Sequence, residues 1–310
     1  MTTGSDEESG LGLAYDALHG LSVGDALGAQ FFVPGRSVAE LTRGQVPAPP
    51  WEWTDDTEMA CAVVSELRDH GDIDQDRLAH LFAVRCEPYR GYGPGSVMVL
   101  HAIRDGTPWQ VAAAASFNGD GSCGNGAAMR VAPLGAYFTG SLERAADAAA
   151  RSARVTHAHA EGIAGAVAVA VAAAVAGVSR RCGASPDPAG MLDEVAAAVS
   201  GGPTADGIRR AAGLLGCTVA EAAYELGNGS QSTSQDSVPF ALWAVATHIT
   251  DYPAAIKACI QAGGDVDTTA AMAGGIVATY TGVDDRPGAA GVPRDWLAAR
   301  ELLPTWAMQR

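Results

Sequence analysis

Ile163-Ala-Gly-Ala-Val-Ala-Val-Ala-Val-Ala-Ala-Ala-Val-Ala-Gly-Val178 is the stretch on which the fold turns. Its centre, Val167 to Val171, alternates valine with alanine as a strand would. The run is far longer than the usual strand of about 5–6 residues, and alanine is the strongest helix former. At 16 residues it also falls short of the roughly 20 that a membrane span takes. A buried core helix is the reading, with no membrane partner.

Helical patterning continues on both sides. Leu11–Ala29 carries Gly20, Gly24 and Gly28 at intervals of four, a smooth stripe where a second helix could approach closely. From Asp56, Met59, Val63 and Leu67 recur at helical spacing beside Ala60 and Val64. Further helices are expected at Ile73–Cys86, Ser96–Ile103, Thr107–Ala115, Leu142–Ala153, Met191–Val199, Thr204–Gly213, Thr218–Leu226, Pro239–His248, Tyr252–Ala262 and Thr268–Thr281. Proline-rich Arg43–Trp53 reads as a loop. No fixed repeat and no clear strand emerges. The expectation is an all-α fold, a single orthogonal multi-helix domain over residues 11–310 behind a flexible acidic N-terminus, residues 1–10.

The chain has 310 residues, 48% of them apolar, and a net charge of −15 without any basic run. That balance argues against a protein whose main task is gripping nucleic acid through its phosphates. Six cysteines without C-x-x-C spacing read as reduced, mostly buried side chains, and no signal-peptide pattern is seen. A cytoplasmic location is expected.

Two acidic motifs lie about 210 residues apart: Thr54-Asp55-Asp56-Thr57 and Asp265-Val266-Asp267-Thr268-Thr269. Each falls where a loop opens into a helix. Singly, each is explained by helix capping, Asp55 with Glu58 having capping-box spacing. Together they supply more carboxylates than caps require. Brought to one point, four such groups repel unless a cation lies between them. Thr54 and Thr268 add neutral oxygens, and the all-oxygen set suits Mg²⁺, Mn²⁺ or Ca²⁺ better than Zn²⁺. Two metals are as consistent with that many ligands as one.

Between them lies Phe117-Asn-Gly-Asp-Gly-Ser-Cys-Gly-Asn-Gly-Ala-Ala-Met-Arg130. Its glycines expose backbone N–H groups, and a helix expected to follow would turn its positive end there, a combination suited to phosphate. A simple flexible turn explains the glycines equally well. Phe117 could stack on a flat ring or belong to the core. His157, in Thr156-His157-Ala158-His159, reads as part of a helix start, as a hydrogen-bond donor to a ligand, or as a metal ligand.

These segments resemble the ADP-ribosylglycohydrolases. The matching stretches are Gly24-Asp25-Ala26-Leu27-Gly28, Thr54–Thr57, Gly121–Arg130, Thr156-His157 and Gly264–Thr268. A weaker sixth is Gly227-Asn228-Gly229 with Ser237-Val238-Pro239. The resemblance implies an all-α fold with two Mg²⁺ (or Mn²⁺) held centrally by Thr54, Asp55, Asp56, Asp265, Asp267 and Thr268. It implies that Gly121, Ser122, Cys123, Gly124 and Asn125, with His157, hold the diphosphate and ribose of ADP-ribose, Phe117 lying near the adenine. Hydrolysis at the anomeric carbon of the distal ribose follows, with Asp265 or Asp55 orienting or deprotonating the water. One position departs: where several relatives carry a glutamate, this chain has Phe32. A module that binds ADP-ribose without turnover is the alternative that this departure motivates, and a purely structural protein is a third reading.

Overall fold

The computed structural model describes residues 4–308, with side chains from Gly10 onward. Among the described residues the elements are helices joined by loops and isolated bridges, without a strand. In chain order the first are α1 (Gly4–Ala29), α2 (Val38–Thr42), α3 (Asp55–His70), α4 (Gln75–Arg85), α5 (Pro94–Arg104) and α6 (Trp109–Ala114). Then come α7 (Ala132–Tyr137), α8 (Leu142–Arg154), α9 (Ala160–Cys182), α10 (Pro188–Ala198), α11 (Pro203–Gly213) and α12 (Val219–Leu226). The last are α13 (Ser234–His248), α14 (Tyr252–Ala262), α15 (Val266–Thr281), α16 (Arg294–Ala299) and α17 (Thr305–Met308). The protein is a single all-helical domain, as the patterning implied.

Two helices organise the rest. α1 packs most extensively against α15, and the glycine stripe is the reason. A Cβ on Gly20 would lie 2.4 Å from Gly274 O, one on Gly24 2.2 Å from Ala270 O, and one on Gly28 2.6 Å from Asp267 Cα. Partners fall in number along α15 as they rise along α1, so the helices are antiparallel and in backbone contact. This register sets Asp25, between Gly24 and Gly28, beside the start of α15.

α9 is the alanine–valine helix. Its ordered length, 23 residues, exceeds the apolar run because His159 caps it, its Nδ1 accepting from Glu161 N at 3.1 Å, and Gly183 ends it in the left-handed region. That length would cross a membrane, yet 72% of its most apolar window is buried inside the protein. Small side chains permit this: a Cβ on Gly135 of α7 would lie 2.0 Å from Ala170 O.

Several boundaries differ from the sequence reading. Helix α1 is described from Gly4 rather than Leu11, since extending an existing helix costs little per residue. The expected flexible terminus lies outside the described residues at 1–3 and in its side chains at 4–9. α13 begins at Ser234 and carries Pro239 inside it. Pro239 packs where a Cβ on Gly207 would come within 2.5 Å, and this α11–α13 contact outweighs the missing N–H. The helix expected just after the central glycines is a three-residue 3₁₀ turn, Asn125–Ala127.

Candidate metal centre and the cleft before it

Thr54 starts α3 as its N-cap, Oγ1 accepting from Asp56 N at 3.4 Å. Glu58, which the capping-box reading assigned to this turn, instead accepts from Tyr92 Oη (2.7 Å) and Glu87 N (3.0 Å). The first turn thus leaves Asp55 and Asp56 uncommitted to capping. Asp56 is buried, and its Oδ1 has no hydrogen-bond partner. At the second motif Asp265 is the N-cap position of α15 without a capping bond from its side chain. Asp267 Oδ1 accepts from its neighbour, Thr268 N, at 2.8 Å.

The two motifs meet, and a third carboxylate joins them. Oxygens of Asp25, Asp56 and Asp267 all lie within 4.8 Å of one another. Asp25, part of the first matching segment, is a site residue that the two acidic motifs alone do not reveal. It accepts from Thr54 N (2.9 Å), Thr54 Oγ1 (2.8 Å), Thr57 N (3.2 Å) and Thr57 Oγ1 (2.5 Å). Thr54 is therefore tied to Asp25 and is absent from the cleft lining, whereas Thr268 reaches the cleft, 3.5 Å from Asp56 Oδ2. Asp55 and Asp265 line the cleft outside the tight trio.

Charge crowding shows in the acidities. Burial, opposed by the Thr57 and Thr54 hydrogen bonds, pushes the Asp25 carboxyl up to about 6. Burial and then the neighbouring Asp25 and Asp265 carry Asp55 up to about 7. Asp56 is raised well above the usual range by burial and then by Asp25 and Asp267, and Asp267 by burial and then by Asp265 and Asp25. Protons held this tightly mark the place a cation would take. Hard oxygen donors, one of them orphaned and buried, fit a divalent cation such as Mg²⁺.

The cleft holds about 370 Å³. Its acidic part is formed by Asp55, Asp56, Asp265, Asp267 and Thr268, and the central glycine run with His157 forms an adjoining wall. Ser122, Cys123 and Gly124 line it, but Gly121 (φ +76) instead abuts Ala158 and His159. Gly124 N is taken by Ser122 Oγ (3.1 Å) and Asn125 N by Ser232 O (3.1 Å). Asn125 turns its amide to Asp265 Oδ2 (2.7 Å) and Ser237 Oγ (2.9 Å), so it braces a carboxylate. With only a 3₁₀ turn following, the helix-dipole part of the phosphate argument falls away and individual N–H groups remain. Phe117 and Asn118 sit in the left-handed region (φ +53 and +60), a strain of about 1–3 kcal/mol each that presents the Phe117 ring, 64% exposed, at the mouth.

A second glycine-rich wall, beside Asp55, has no counterpart in the sequence reading. Gly91, Gly93, Pro94, Gly95 and Ser96 line the cleft, and a Cβ on Gly91 would stand 3.6 Å from Asp55 Oδ1. Arg90 anchors this loop, paired with Glu301 at 2.7 Å, donating to Trp53 O, and stacked 3.3 Å over the Trp53 ring. Three glycines in five residues, as dense as the central run, were the available signal. The Gly227–Gly229 loop backs the second motif: Asp265 N donates to Asn228 O at 3.1 Å, and a Cβ on Gly229 would lie 2.5 Å from Asp265 Cβ. Phe32 is 55% exposed and is not part of the cleft lining.

An all-helical domain with buried carboxylates facing a glycine-walled cleft is the class that fold and site define. The chain belongs to the ADP-ribosylglycohydrolase family, whose pattern it matches over residues 9–309. It is similar to human ADP-ribosylhydrolase ARH3, 34% identical over 274 residues, which cover 79% of this chain and 73% of the human protein. An uncharacterized protein of Archaeoglobus fulgidus is 33% identical over 309 residues, 92% of this chain and 91% of that one. Among solved structures, an ADP-ribosylglycohydrolase-related protein complex superposes with a TM-score of 0.66 over 97% of this chain and 96% of the other; at 24% identity this is a likeness of fold.

Proposed function

We propose that this protein is a Mg²⁺-dependent hydrolase cleaving the bond at the anomeric carbon of the distal ribose in an ADP-ribosylated protein or a small ADP-ribose derivative. The carrying observation is the meeting of buried Asp25 and Asp56 with half-buried Asp267, the last two lining the cleft. Asp55, Asp56, Asp265, Asp267 and Thr268 would hold two Mg²⁺, or Mn²⁺ in their place, with Asp25 fixing Thr54 and Thr57 beneath them. When bound, the metal supplies Lewis acidity and fixed positive charge.

The chain's own groups account for the remaining tasks. Asp265, braced by Asn125, or Asp55 on the facing helix end takes the proton of the attacking water. The water oxygen bonds to the anomeric carbon as the bond to the leaving group breaks, and the proton taken up by the aspartate passes to the leaving group. Phe117 at the mouth offers a face to the adenine, and the Ser122–Asn125 wall with His157 offers donors to the diphosphate.

A module that binds ADP-ribose without turnover is favoured by one observation, the solvent-facing Phe32 where relatives carry a glutamate. Two measurements separate the readings. ADP-ribose is expected to raise the melting temperature only with Mg²⁺ present; stabilisation without the metal contradicts the site. Single-turnover release from arginine-, serine- and O-acetyl-linked ADP-ribose identifies an enzyme, whereas binding with no release from any linkage identifies the module.

A further inference from the structure

Arg130 closes the central glycine run and is wholly buried. Its Nη2 donates to Ser152 O (2.8 Å) and Thr156 Oγ1 (3.0 Å), and its Nη1 donates to Gly126 O (3.3 Å). The guanidinium lies 4.4 Å over the Phe82 ring. No carboxylate pairs with it among the described residues. Burial lowers its pKa to about 9, which leaves it charged at neutral pH.

Next in line, Thr156 Oγ1 lies 2.8 Å from His157 Nδ1, and both residues are buried. A guanidinium only donates, so the Thr156 hydroxyl must accept from Arg130. Were the imidazole also to donate from Nδ1, the hydroxyl proton would be left in a buried place with no acceptor among the described residues. Donation from Thr156 to Nδ1 gives both the hydroxyl proton and the ring nitrogen a partner, while Arg130 Nε and Ser152 Oγ beside them stay unpaired among the described residues. The ring proton then sits on Nε2, the atom that faces the glycine wall, 3.3 Å from where a Cβ on Gly124 or Gly126 would stand.

We propose that Arg130 and Thr156 are positioning residues that lock a neutral His157 in its Nε2–H tautomer, aiming one N–H donor across Gly124 and Gly126 at an acceptor oxygen of the ligand. The ligand part rests on the reading of the cleft as an ADP-ribose site; the tautomer does not. Burial, and then the positive charge of Arg130 behind the ring, lowers the His157 pKa to about 3, so the ring is a donor of fixed sense and not a proton-transfer group at neutral pH. The absence of side chains at 124 and 126 keeps the path from Nε2 to the cleft open.

The test is ¹⁵N–¹H NMR of the His157 imidazole with ADP-ribose titrations in Mg²⁺. Arg130 is too deeply built in to replace safely, so the variant is Thr156→Val, with Thr156→Ser as its control. The wild type is expected to show a protonated Nε2 and an unprotonated Nδ1 unchanged between about pH 5 and 8. Thr156→Val is expected to give mixed tautomers and to weaken ADP-ribose binding about 3- to 10-fold, the loss of one neutral hydrogen bond, raising KM with kcat retained. Thr156→Ser restores both. A wild-type ring protonated on Nδ1, or a Thr156→Val protein with unchanged tautomer and affinity, overturns the proposal. A wild-type ring in the Nε2–H form that binds no ADP-ribose overturns the ligand assignment while the lock stands.

Discussion

The two ends of the cleft are built in opposite ways. At the acidic end the chemistry is side-chain charge carried on helix starts, with α3 and α15 presenting carboxylates against a third from α1. At the other the groups are backbone amides on glycine turns and one neutral imidazole, with the positive charge of Arg130 held behind the wall and Asn125 touching the acidic part through Asp265. The first arrangement crowds like charges and needs a cation to be comfortable; the second is already satisfied internally and offers a few directed donors. Strength at one end comes from electrostatics in a dry site, and at the other from geometry.

The largest expected effect sits at the acidic end. Asp267→Ala removes one of the crowded carboxylates and is expected to abolish Mg²⁺-dependent stabilisation and to cut single-turnover hydrolysis by about 10³-fold or more, while the metal-free protein melts at the same temperature or higher. Retained activity would break the contrast at its root. Next is a matched pair of glycine changes read by thermal melts. Gly24→Ala drives a Cβ to 2.2 Å from Ala270 O and is expected to cost about 3 kcal/mol or more and to weaken Mg²⁺ binding. Gly124→Ala meets side-chain ends, Ser122 Oγ at 3.1 Å and His157 Nε2 at 3.3 Å; it is expected to cost about 1 kcal/mol and to leave Mg²⁺ binding alone. Equal costs at the two positions would erase the distinction between helix-register and loop glycines.

The pH dependence separates the ends again, at smaller amplitude. In the metal-free protein Asp25 (about 6) and Asp55 (about 7) hold protons that unfolded carboxylates release near 4. The folded state therefore binds more protons, and this contribution to stability falls as pH rises from about 4 through 7. His157 (about 3) works the other way, since the unfolded ring takes up a proton near 6.5 and the folded one does not; its contribution is lost as pH falls below about 6.5. Mg²⁺ displaces the carboxylate protons and leaves the histidine alone, so the Tm gain from Mg²⁺ is expected to be roughly 5 °C larger at pH 8 than at pH 5. A gain independent of pH would show that the carboxylates are not the metal's ligands. The smallest effect is expected at Phe32→Glu. The side chain is exposed and off the cleft, so stability should move by no more than about 0.5 kcal/mol and the single-turnover rate by less than about threefold. A large rate increase would place residue 32 within reach of the acidic end.

How much of this could be read from the chain differs by the same division. The helices were legible because alanine, valine and periodic apolar residues act locally. The Gly20–Gly24–Gly28 stripe announced a close neighbour, and the two acidic motifs announced each other by excess charge. Asp25 was harder, because its role depends on which residue of α15 lies opposite, a matter of register between helices about 240 positions apart. The Gly91–Gly95 wall went unnoticed because it carries no charge, and its place is fixed by Arg90 reaching Glu301 near the far end of the chain. That Asn125 also braces Asp265 could not be read beforehand, since hydrogen-bond direction within a turn has no local signature. The 3₁₀ turn at Asn125–Ala127 escaped for the same reason.

The glycine stripe has a further meaning. Two helices pressed together at their backbones can mesh in few ways, and a slip of one residue would carry Asp25 about 1.5 Å along its axis and a quarter-turn or so around it. Asp25 would then no longer face Asp56 and Asp267. The α1–α15 seam thus works as a gauge block for Asp25 and Asp267, setting their separation by backbone contact, while Asp25's bonds to Thr54 and Thr57 tie it to α3. A blemish at Gly20, more than a full turn from Asp25, would surface not as a local defect but as a protein that has lost its grip on divalent cations.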